Sequence, residues 1–339
     1  MTMKTLRMAR RVSLAVVAML CLLVLSAFTD RHKVKIFMIG DSTMANKNIK
    51  GGNLERGWGM MLGNFFDDDV VIDNHAKNGR SSKSFISEGL WRQVCEQIKP
   101  GDYVFIQFGH NDEKQDTARH TEPGTTFDAN LRMFVNETKM RGGIPVLFNS
   151  VVRRTFADSK TAVEDDDKRD NSSSSLVEGD KLIDTHGEYL VSPRKVAAET
   201  GTVFIDANKI THELEQGLGP IGSKKLHMCY EPGEVPSLPD GRQDNTHYNV
   251  YGAYTVAGLL ADAVAEKVPE LKRHLRHCDV SVASDGSGLY FDIQEAINSL
   301  PSGSKATVLV GEGKWRKPSI DGGRKIRFVM REGAEWTDD

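Results

Sequence analysis

The sequence is poor in cysteine and has almost no excess charge, and each shortage excludes a class of protein. Its 339 residues hold four cysteines, Cys21, Cys95, Cys229 and Cys278. If an amino-terminal leader removes the first, the remaining odd and sparse set cannot form a disulfide framework for a domain of this size. The formal net charge of −3 offers no electrostatic footprint for nucleic acid, and no basic stripe is present. We therefore expect neither a disulfide-stapled scaffold nor a nucleic-acid partner.

The sequence also lacks a long hydrophobic run. An apolar stretch, Val12–Leu25, is short for a membrane span, although a retained anchor is the alternative. Basic residues precede it, and the small residues Ser26 and Ala27 follow it, as in a secretory signal. The residues before Cys21 are large, which argues against lipidation. We predict a signal peptide over residues 1–29, a secreted or periplasmic protein, and no membrane association once the signal is removed.

Residues 33–270 alternate between strand-like and helix-like patterns. Apolar runs of strand character cover 33–39, 70–75, 102–108, 144–152 and 202–206. Apolar residues at three- and four-residue spacing predict helices over Glu88–Lys99, Phe127–Arg141, Ser192–Glu199 and Tyr248–Lys267. This alternation predicts an α/β fold in which a parallel sheet is covered on both faces. Such sheets bind ligands at the carboxyl ends of their strands.

Four polar segments stand out against this pattern. The first and third directly follow apolar runs, and the fourth precedes a helical pattern. Taken singly, each has an ordinary structural explanation: a strand-end loop, a hairpin turn or a helix cap. Together they supply the parts of a serine esterase. The segments are Gly40–Thr43, Asn78–Ser81, Gly109–Asp112 and Asp244–His247.

The first and fourth segments hold the candidate nucleophile and its activating pair. Ser42 follows a strand, and a serine hydroxyl needs a base within hydrogen-bond reach and a third group to orient that base. His247 fits the role of base. Asp244, three residues earlier on one turn, fits the role of orienting acid. We predict a catalytic triad of these three residues.

The second and third segments supply candidate donors for an oxyanion hole. Acyl transfer passes through a tetrahedral oxyanion, and preorganised donors aimed at it are usually the largest catalytic contribution. Gly79 can present a backbone N–H that a bulkier residue would obstruct, and Asn111 can offer its side-chain amide. We expect Ser42, Gly79 and Asn111 to form this hole.

At these residues the chain resembles the SGNH, or GDSL, hydrolases, with Ser42, Gly79, Asn111 and His247 at the positions that name the family. Thr43 stands where many members have leucine. The likeness is strongest to the rhamnogalacturonan acetylesterase branch. It implies a flavodoxin-like three-layer α/β/α sandwich with a five-stranded parallel sheet, an acetylated pectic polysaccharide as substrate, and neither cofactor nor metal. The segments that carry it are Arg56–Gly59, Gly79–Ile86, Lys99–Asp112, Val152–Phe156 and Asp244–Asn249.

Charged and polar residues beside the four segments are candidates for holding an acidic sugar polymer. Asp41, Arg80, His110 and Arg153 lie in or near the expected loops. Cationic side chains could pair with uronate carboxylates, although each residue also has a structural explanation. We predict these four as substrate-binding residues.

An acidic and serine-rich interruption over 157–179 has few apolar residues and predicts a mobile surface loop. Its carboxylates raise the alternative of a calcium site, which the order of ligands does not favour.

The character of the chain changes after about residue 277. Val280–Pro301 resembles the opening of pectin methylesterases, whose domain is a right-handed parallel β-helix. The resemblance implies a helix over Phe291–Leu300 and first rungs at Thr307–Val310 and Lys325–Met330. No catalytic residue of that family can be carried over. We expect residues 278–339 to be a short β-helix-like tail, truncated, and either packed on the 33–270 esterase domain or poorly ordered.

Two other functions remain open at this point. A lipase or thioesterase on the same scaffold would need a large apolar loop near the four segments, and the loops there are polar. A non-catalytic pectin-binding protein would need a broken site, whereas every expected catalytic residue is present. We expect a monomeric carbohydrate esterase.

Overall fold

The computed structural model describes residues 33–156 and 180–337. The predicted signal peptide over 1–29 and the predicted loop over 157–179 lie outside these residues. In the described chain the strands are β1 (Val34–Gly40), β2 (Glu55–Arg56), β3 (Val70–Asn74), β4 (Tyr103–Gln107), β5 (Ile144–Phe148), β6 (Val203–Ile205), β7 (His227–Tyr230), β8 (Arg242–Asn249), β9 (Val280–Val282), β10 (Lys305–Val310), β11 (Gly313–Arg316), β12 (Lys325–Met330) and β13 (Ala334–Thr337).

Helices separate most of these strands. The α-helices are α1 (Trp58–Met61), α2 (Ser82–Ser87), α3 (Leu90–Cys95), α4 (Thr126–Met140), α5 (Val191–Thr200), α6 (Ala207–Gly222), α7 (Val250–Lys267), α8 (Pro269–Lys272) and α9 (Ile293–Ser299). Short 3₁₀ turns cover Lys50–Gly52, Leu62–Phe65, Gly187–Leu190 and Ser223–Leu226. The structure describes no helix of the length and apolar character that a membrane span requires.

The central sheet has five parallel strands in the order β3-β1-β4-β5-β6. Every residue of β4 is buried, because helices cover both faces of the sheet. One face packs on α1, α6 and α7, and the other on α2, α3, α4 and α5. The predicted flavodoxin-like three-layer sandwich is confirmed. All five strands coincide with the predicted apolar runs. Strand β4 is apolar at nearly every position because it is buried on both faces, whereas the edge strands β3 and β6 are only partly buried.

A second, antiparallel sheet of β2, β8 and β7 was not predicted, and it changes the setting of the fourth polar segment. We expected Asp244 and His247 on a turn ahead of a helix, but both lie within β8. The expected turn is present as a bulge within this strand. His227 of β7 pairs with Tyr248, whereas the next residue, Met228, pairs with Asp244, so three residues of β8 bulge out of the ladder.

The carboxy-terminal segment, residues 280–337, forms two small parallel sheets, β12-β10-β9 and β11-β13, with α9 packed against them. Strands β10 and β12 and helix α9 lie at the predicted rungs and helix, whereas β9, β11 and β13 were not predicted. Its apolar cluster is separate from the clusters of the central sheet. Polar contacts join the segment to the rest of the chain. They are Arg331 to Asp68 at 2.9 Å, Asn64 to the Ser287 carbonyl at 2.7 Å, and buried Arg56 to the Gly286 carbonyl at 3.0 Å.

Candidate active site

Ser42 lies in the tight turn that follows β1, and a chain of side-chain hydrogen bonds braces this turn. The Asp41 carboxylate accepts the backbone N–H of Thr43 at 2.9 Å and its hydroxyl at 2.8 Å. Gln107, at the end of neighbouring β4, donates to that same hydroxyl at 2.7 Å, and Trp58 donates to Gln107 at 2.8 Å. Thr43, which stands where many GDSL sequences have leucine, thus ties the serine turn to the sheet.

Ser42, His247 and Asp244 form a continuous hydrogen-bonded line. Ser42 Oγ lies 2.8 Å from His247 Nε2, and His247 Nδ1 lies 3.0 Å from Asp244 Oδ2. The other carboxylate oxygen, Asp244 Oδ1, accepts the backbone N–H groups of Thr246 and His247, both at 2.9 Å. These two bonds close the bulge in β8 as an Asx turn, and so hold the acid beneath its histidine. The arrangement can withdraw a proton from the serine hydroxyl.

A buried arginine that the sequence reasoning missed secures this bulge. Arg154 donates its backbone N–H to the Asn245 carbonyl at 2.8 Å and a guanidinium N–H to the Asn245 side chain, also at 2.8 Å. It bonds Ser223 at 2.9 Å and the Pro220 carbonyl as well. The loop after β5 therefore clamps the segment that carries His247. Arg153 and Arg154 are adjacent and of the same type, so the sequence does not show which of them contacts the segment that carries His247.

The loops that carry Gly79 and Asn111 contact each other near the end of β1. Lys77 donates its backbone N–H to the Gly40 carbonyl at 3.0 Å, which brings the loop after β3 against the end of β1. Asn111 donates its side-chain amide to the Arg80 carbonyl at 3.2 Å, next to Gly79. Gly79 has φ of 73°, and a Cβ added there would meet nothing within 4 Å. The left-handed backbone, rather than the crowding we expected, is the reason for glycine.

Asp112 anchors the loop that carries Asn111. Its carboxylate accepts the backbone N–H of Ser82 at 3.1 Å, the Ser82 hydroxyl at 2.5 Å and the Thr121 hydroxyl at 2.9 Å. Burial raises the pKa of Asp112 to about 7, against the lowering effect of these hydrogen bonds. The Asp112 carboxyl therefore titrates near neutral pH while it holds this loop.

Of the predicted substrate-binding residues, Asp41 is buried and Arg80 is partly exposed. Asp41 is buried beside the serine, and burial raises its pKa. Arg80 is partly exposed and pairs with Glu88 at 2.9 Å. Arg80 therefore faces solvent at the rim of the site, whereas Asp41 lies beneath it.

Arg153 and His110 lie in a second buried polar cluster. Arg153 forms an ion pair with Glu113 and donates to the His110 carbonyl at 3.3 Å. His186 contacts Glu113 at 3.1 Å and packs edge-on to the His110 ring at a centroid distance of 4.5 Å. Burial holds the pKa of His110 well below its usual range, so this imidazole is neutral. A role for these residues in binding substrate stays a prediction.

A row of alternating charges leads away from the triad acid. Arg242 lies 2.6 Å from Asp244 Oδ2 and 2.9 Å from Glu55 Oε2. Lys47 lies 2.8 Å from Glu55 Oε1 and donates to Asn78 Oδ1 at 2.6 Å. Burial alone would raise the pKa of Glu55, but the charges of His247, Lys47 and Arg242 outweigh it and lower that pKa to about 2. Glu55 is therefore ionised throughout the neutral range.

Two groups of carboxylate and imidazole side chains have ligand atoms within 4.8 Å of one another, the arrangement a metal would need. In the group at the triad, Lys47 and Arg242 already neutralise the carboxylates. In the other, His274 contacts Asp67 at 3.0 Å, and Arg273 donates to the second ring nitrogen at 3.0 Å. Ion pairs therefore hold the carboxylates of the first group, and hydrogen bonds to Asp67 and Arg273 hold the histidine of the second. They are Glu55, Asp244 and His247, and Asp67, Asp69 and His274.

Comparison with known proteins places this chain in one family. The sequence profile of the GDSL-like Lipase/Acylhydrolase family matches residues 38–228. Rhamnogalacturonan acetylesterase RhgT of Bacillus subtilis (strain 168) is 36% identical over 245 residues, which cover 72% of this chain and 95% of that protein. The probable rhamnogalacturonan acetylesterase YesY of the same organism is 27% identical over 235 residues, 68% of this chain and 92% of that one.

A solved structure shares the fold. The crystal structure of the protein YxiM from Bacillus subtilis has a TM-score of 0.52 and 24% sequence identity, and covers 69% of this chain and 56% of that one. The parallel sheet and the serine at the carboxyl end of its strand define an α/β ester hydrolase. The chain belongs to the GDSL-like lipase and acylhydrolase family.

Proposed function

We propose that this protein is a secreted carbohydrate esterase that removes acetyl groups from pectin, with acetylated rhamnogalacturonan as its substrate. The observation that carries the chemistry is the unbroken line from Ser42 through His247 to Asp244, at 2.8 and 3.0 Å. The substrate is supported by the 36% identity to RhgT, a protein named for deacetylating rhamnogalacturonan. The predicted signal over 1–29 supports export.

In the first half of the reaction, Ser42 Oγ attacks the acetyl carbonyl while His247 Nε2 takes the hydroxyl proton. Asp244 fixes the imidazole with its Nδ1 hydrogen directed to the carboxylate and stabilises the imidazolium that forms. The tetrahedral oxyanion lies against the backbone N–H groups of Ser42 and Gly79 and the amide of Asn111. His247 then protonates the sugar oxygen, which leaves.

In the second half, water attacks the acetyl-serine ester. His247 accepts the proton of this water and returns it to Ser42 Oγ, so that acetate departs and the enzyme is restored. His247 therefore acts as base and then as acid in each half of the reaction. Asn111 contributes one amide hydrogen because the Arg80 carbonyl accepts the other at 3.2 Å. Neither half requires a metal or an organic cofactor.

Acetate release decides between this proposal and a lipase-type activity on the same scaffold. Purified protein should release acetate from acetylated rhamnogalacturonan and from p-nitrophenyl acetate, and should leave long-chain p-nitrophenyl esters almost untouched. The Ser42→Ala variant should release none, whereas Ser299→Ala, a serine of α9 outside the site, should behave as wild type. Preference for long acyl chains would assign the protein to the lipases instead. Retention of the protein inside the cell with residues 1–29 intact would contradict export.

A further inference from the structure

The row of charges behind the triad joins its two functional halves. Lys47 bonds Asn78, the residue before Gly79, while Arg242 bonds Asp244. Glu55 lies between these cations and binds one with each carboxylate oxygen. A single polar chain thus runs from the oxyanion side of the site to the acid that orients the histidine. Lys47 and Glu55 are well shielded, with side-chain exposures of 2% and 12%.

The charges along this row balance. Lys47 and Arg242 are two cations, and Glu55 and Asp244 are two anions, so the row is neutral when His247 is neutral. Arg242 binds the carboxylate oxygen that His247 Nδ1 also contacts, Asp244 Oδ2. A cation on that oxygen withdraws part of the negative charge that would otherwise favour an imidazolium. The Asp244 side chain is fully buried and the Arg242 side chain is 30% exposed, so salt screens this competition less than it would between two surface charges.

Arg242 and Glu55 lie at different distances from the triad, and their charges have opposite effects on protonation of His247. The contact of Arg242 with Asp244 is direct, at 2.6 Å, and disfavours protonation of the histidine. Glu55 shares the Arg242 guanidinium at 2.9 Å and favours protonation through its own charge. Both residues come from the antiparallel sheet. Glu55 pairs with Asn249 on the β2–β8 ladder, and Arg242 pairs with Tyr230 at the other end of β8.

We propose that Arg242, Glu55 and Lys47 are positioning residues that set the pH range in which His247 acts as a base and hold the Gly79 turn in place. The inference rests on the proposed function, because it assigns a role relative to the proposed triad. Other ionisable groups face the same centre, and a variant there would test a different influence. These groups are Asp41 after β1, His110 after β4 and Cys229 on β7, whose thiol lies 3.6 Å from the Asp244 carbonyl.

Opposite displacements of the pH–rate profile test the proposal. The assay is hydrolysis of p-nitrophenyl acetate by the full chain, with kcat and KM measured from pH 5 to pH 9. In Arg242→Gln, the acid limb of kcat/KM should move to higher pH, with about a tenfold loss near pH 6 that largely recovers at pH 9. In Glu55→Gln the limb should move to lower pH. Arg242→Lys should restore most of the wild-type profile, since it returns the charge.

Matched controls separate this role from loss of structure and from substrate binding. Arg132→Gln breaks an exposed ion pair with Glu199 on the helical layer, and its profile should match that of wild type. Thermal unfolding identifies any variant that fails to fold, in which case the lysine variant and Glu55→Gln carry the test. Arg242→Gln with a raised KM and an unmoved acid limb would make Arg242 a substrate contact and overturn the inference.

The proposed function and this inference fail in distinguishable ways. If hydrolysis persists in Ser42→Ala, the serine mechanism itself is wrong. If hydrolysis depends on Ser42 but Arg242→Gln and Glu55→Gln move the acid limb in the same direction, or leave it in place, the triad stands and the positioning role of these residues is overturned.

Discussion

Two regions of this chain contain parallel sheets that differ in how deeply their strands are buried. Strand β4 of the central sheet is buried at every residue, whereas β12 of the carboxy-terminal segment has no residue in the buried class. The central sheet has helices on both faces, and the segment has α9 on one side of its cluster. A parallel sheet covered on both faces provides a water-poor edge at its strand ends, where charges act strongly on one another. The segment offers no such edge.

The contrast extends to how the two regions are joined. Among the described residues no buried apolar cluster spans them, and hydrogen bonds, an ion pair and a cation–π contact of Arg56 with Phe291 join them. Interfaces of this polar kind resemble those between separately folding domains. We therefore expect the esterase chemistry to depend on the first region alone, with 33–270 and 278–339 as separate domains, and four predictions test that expectation.

Removing the nucleophile should have the largest effect. Ser42→Ala takes away one oxygen at the strand end, and we expect kcat on p-nitrophenyl acetate to fall by at least about 10⁴-fold. The fold should be unchanged, because the lost oxygen contacts only His247 Nε2 among the described side chains of the site. His247→Ala should be nearly as severe. Near-native activity in either variant, with unfolding temperature as the control, would contradict the triad.

Weakening the oxyanion hole should have a smaller effect on the same region. Asn111→Ala removes one of the proposed donors, and we expect it to cost about 2.7–4 kcal/mol of transition-state stabilisation, seen as a fall in kcat. Asn208→Ala, in α6 away from the proposed hole, is the matched control and should retain kcat. A change confined to KM would instead mean that Asn111 binds substrate and transition state equally.

Stability should depend on pH through the first region. The pKa of Asp112 is raised from 3.8 to about 7 by burial, so the folded state holds a proton that the unfolded state releases. This contribution is complete below pH 3.8 and is lost as pH rises through about 7. Between pH 5 and pH 8 we expect the free energy of unfolding to fall by about 2.6 kcal/mol.

Asp112→Asn should remove the fall in the free energy of unfolding between pH 5 and pH 8, as measured by denaturant unfolding at each pH. Asp116→Asn is the control on the same loop, because hydrogen bonding to Arg119 lowers the pKa of Asp116 and its effect falls at acid pH. Equal pH dependence in wild type and Asp112→Asn would assign the effect to other groups.

Deleting the carboxy-terminal segment should have the smallest effect. We expect a chain without residues 280–339 to hydrolyse p-nitrophenyl acetate within about threefold of wild type, since every proposed catalytic residue lies between Ser42 and His247. Weaker binding to polymeric pectin, with small esters unaffected, would make the segment a substrate platform. Loss of small-ester hydrolysis in a folded variant would show that the segment completes the site through Arg56 and that the two regions are one unit.

The sequence predicted the central sheet because its strands are apolar on both faces, and it predicted the segments that converge on Ser42. It could not predict β8, whose residues Arg242–Asn249 are polar and carry no strand pattern. That strand forms because β7 and β2 pair with it from both sides. The sequence also could not predict the contacts of Arg154 and Glu55. Long-range polar contacts are determined by the tertiary arrangement, and residue type alone does not reveal which arginine is buried.

The bulge in β8 separates two kinds of catalytic contact by their distance along the chain. Asp244 and His247 are three residues apart and are joined by bonds within one turn, whereas Ser42 and His247 are 205 residues apart. The first contact belongs to a single antiparallel hairpin. The second exists only after the parallel strands have assembled and the hairpin has come to rest against the end of β1. Closing contacts of such separation is the slow part of folding. We therefore expect esterase activity in a refolding chain to return only when the contact between Ser42 and His247 has formed.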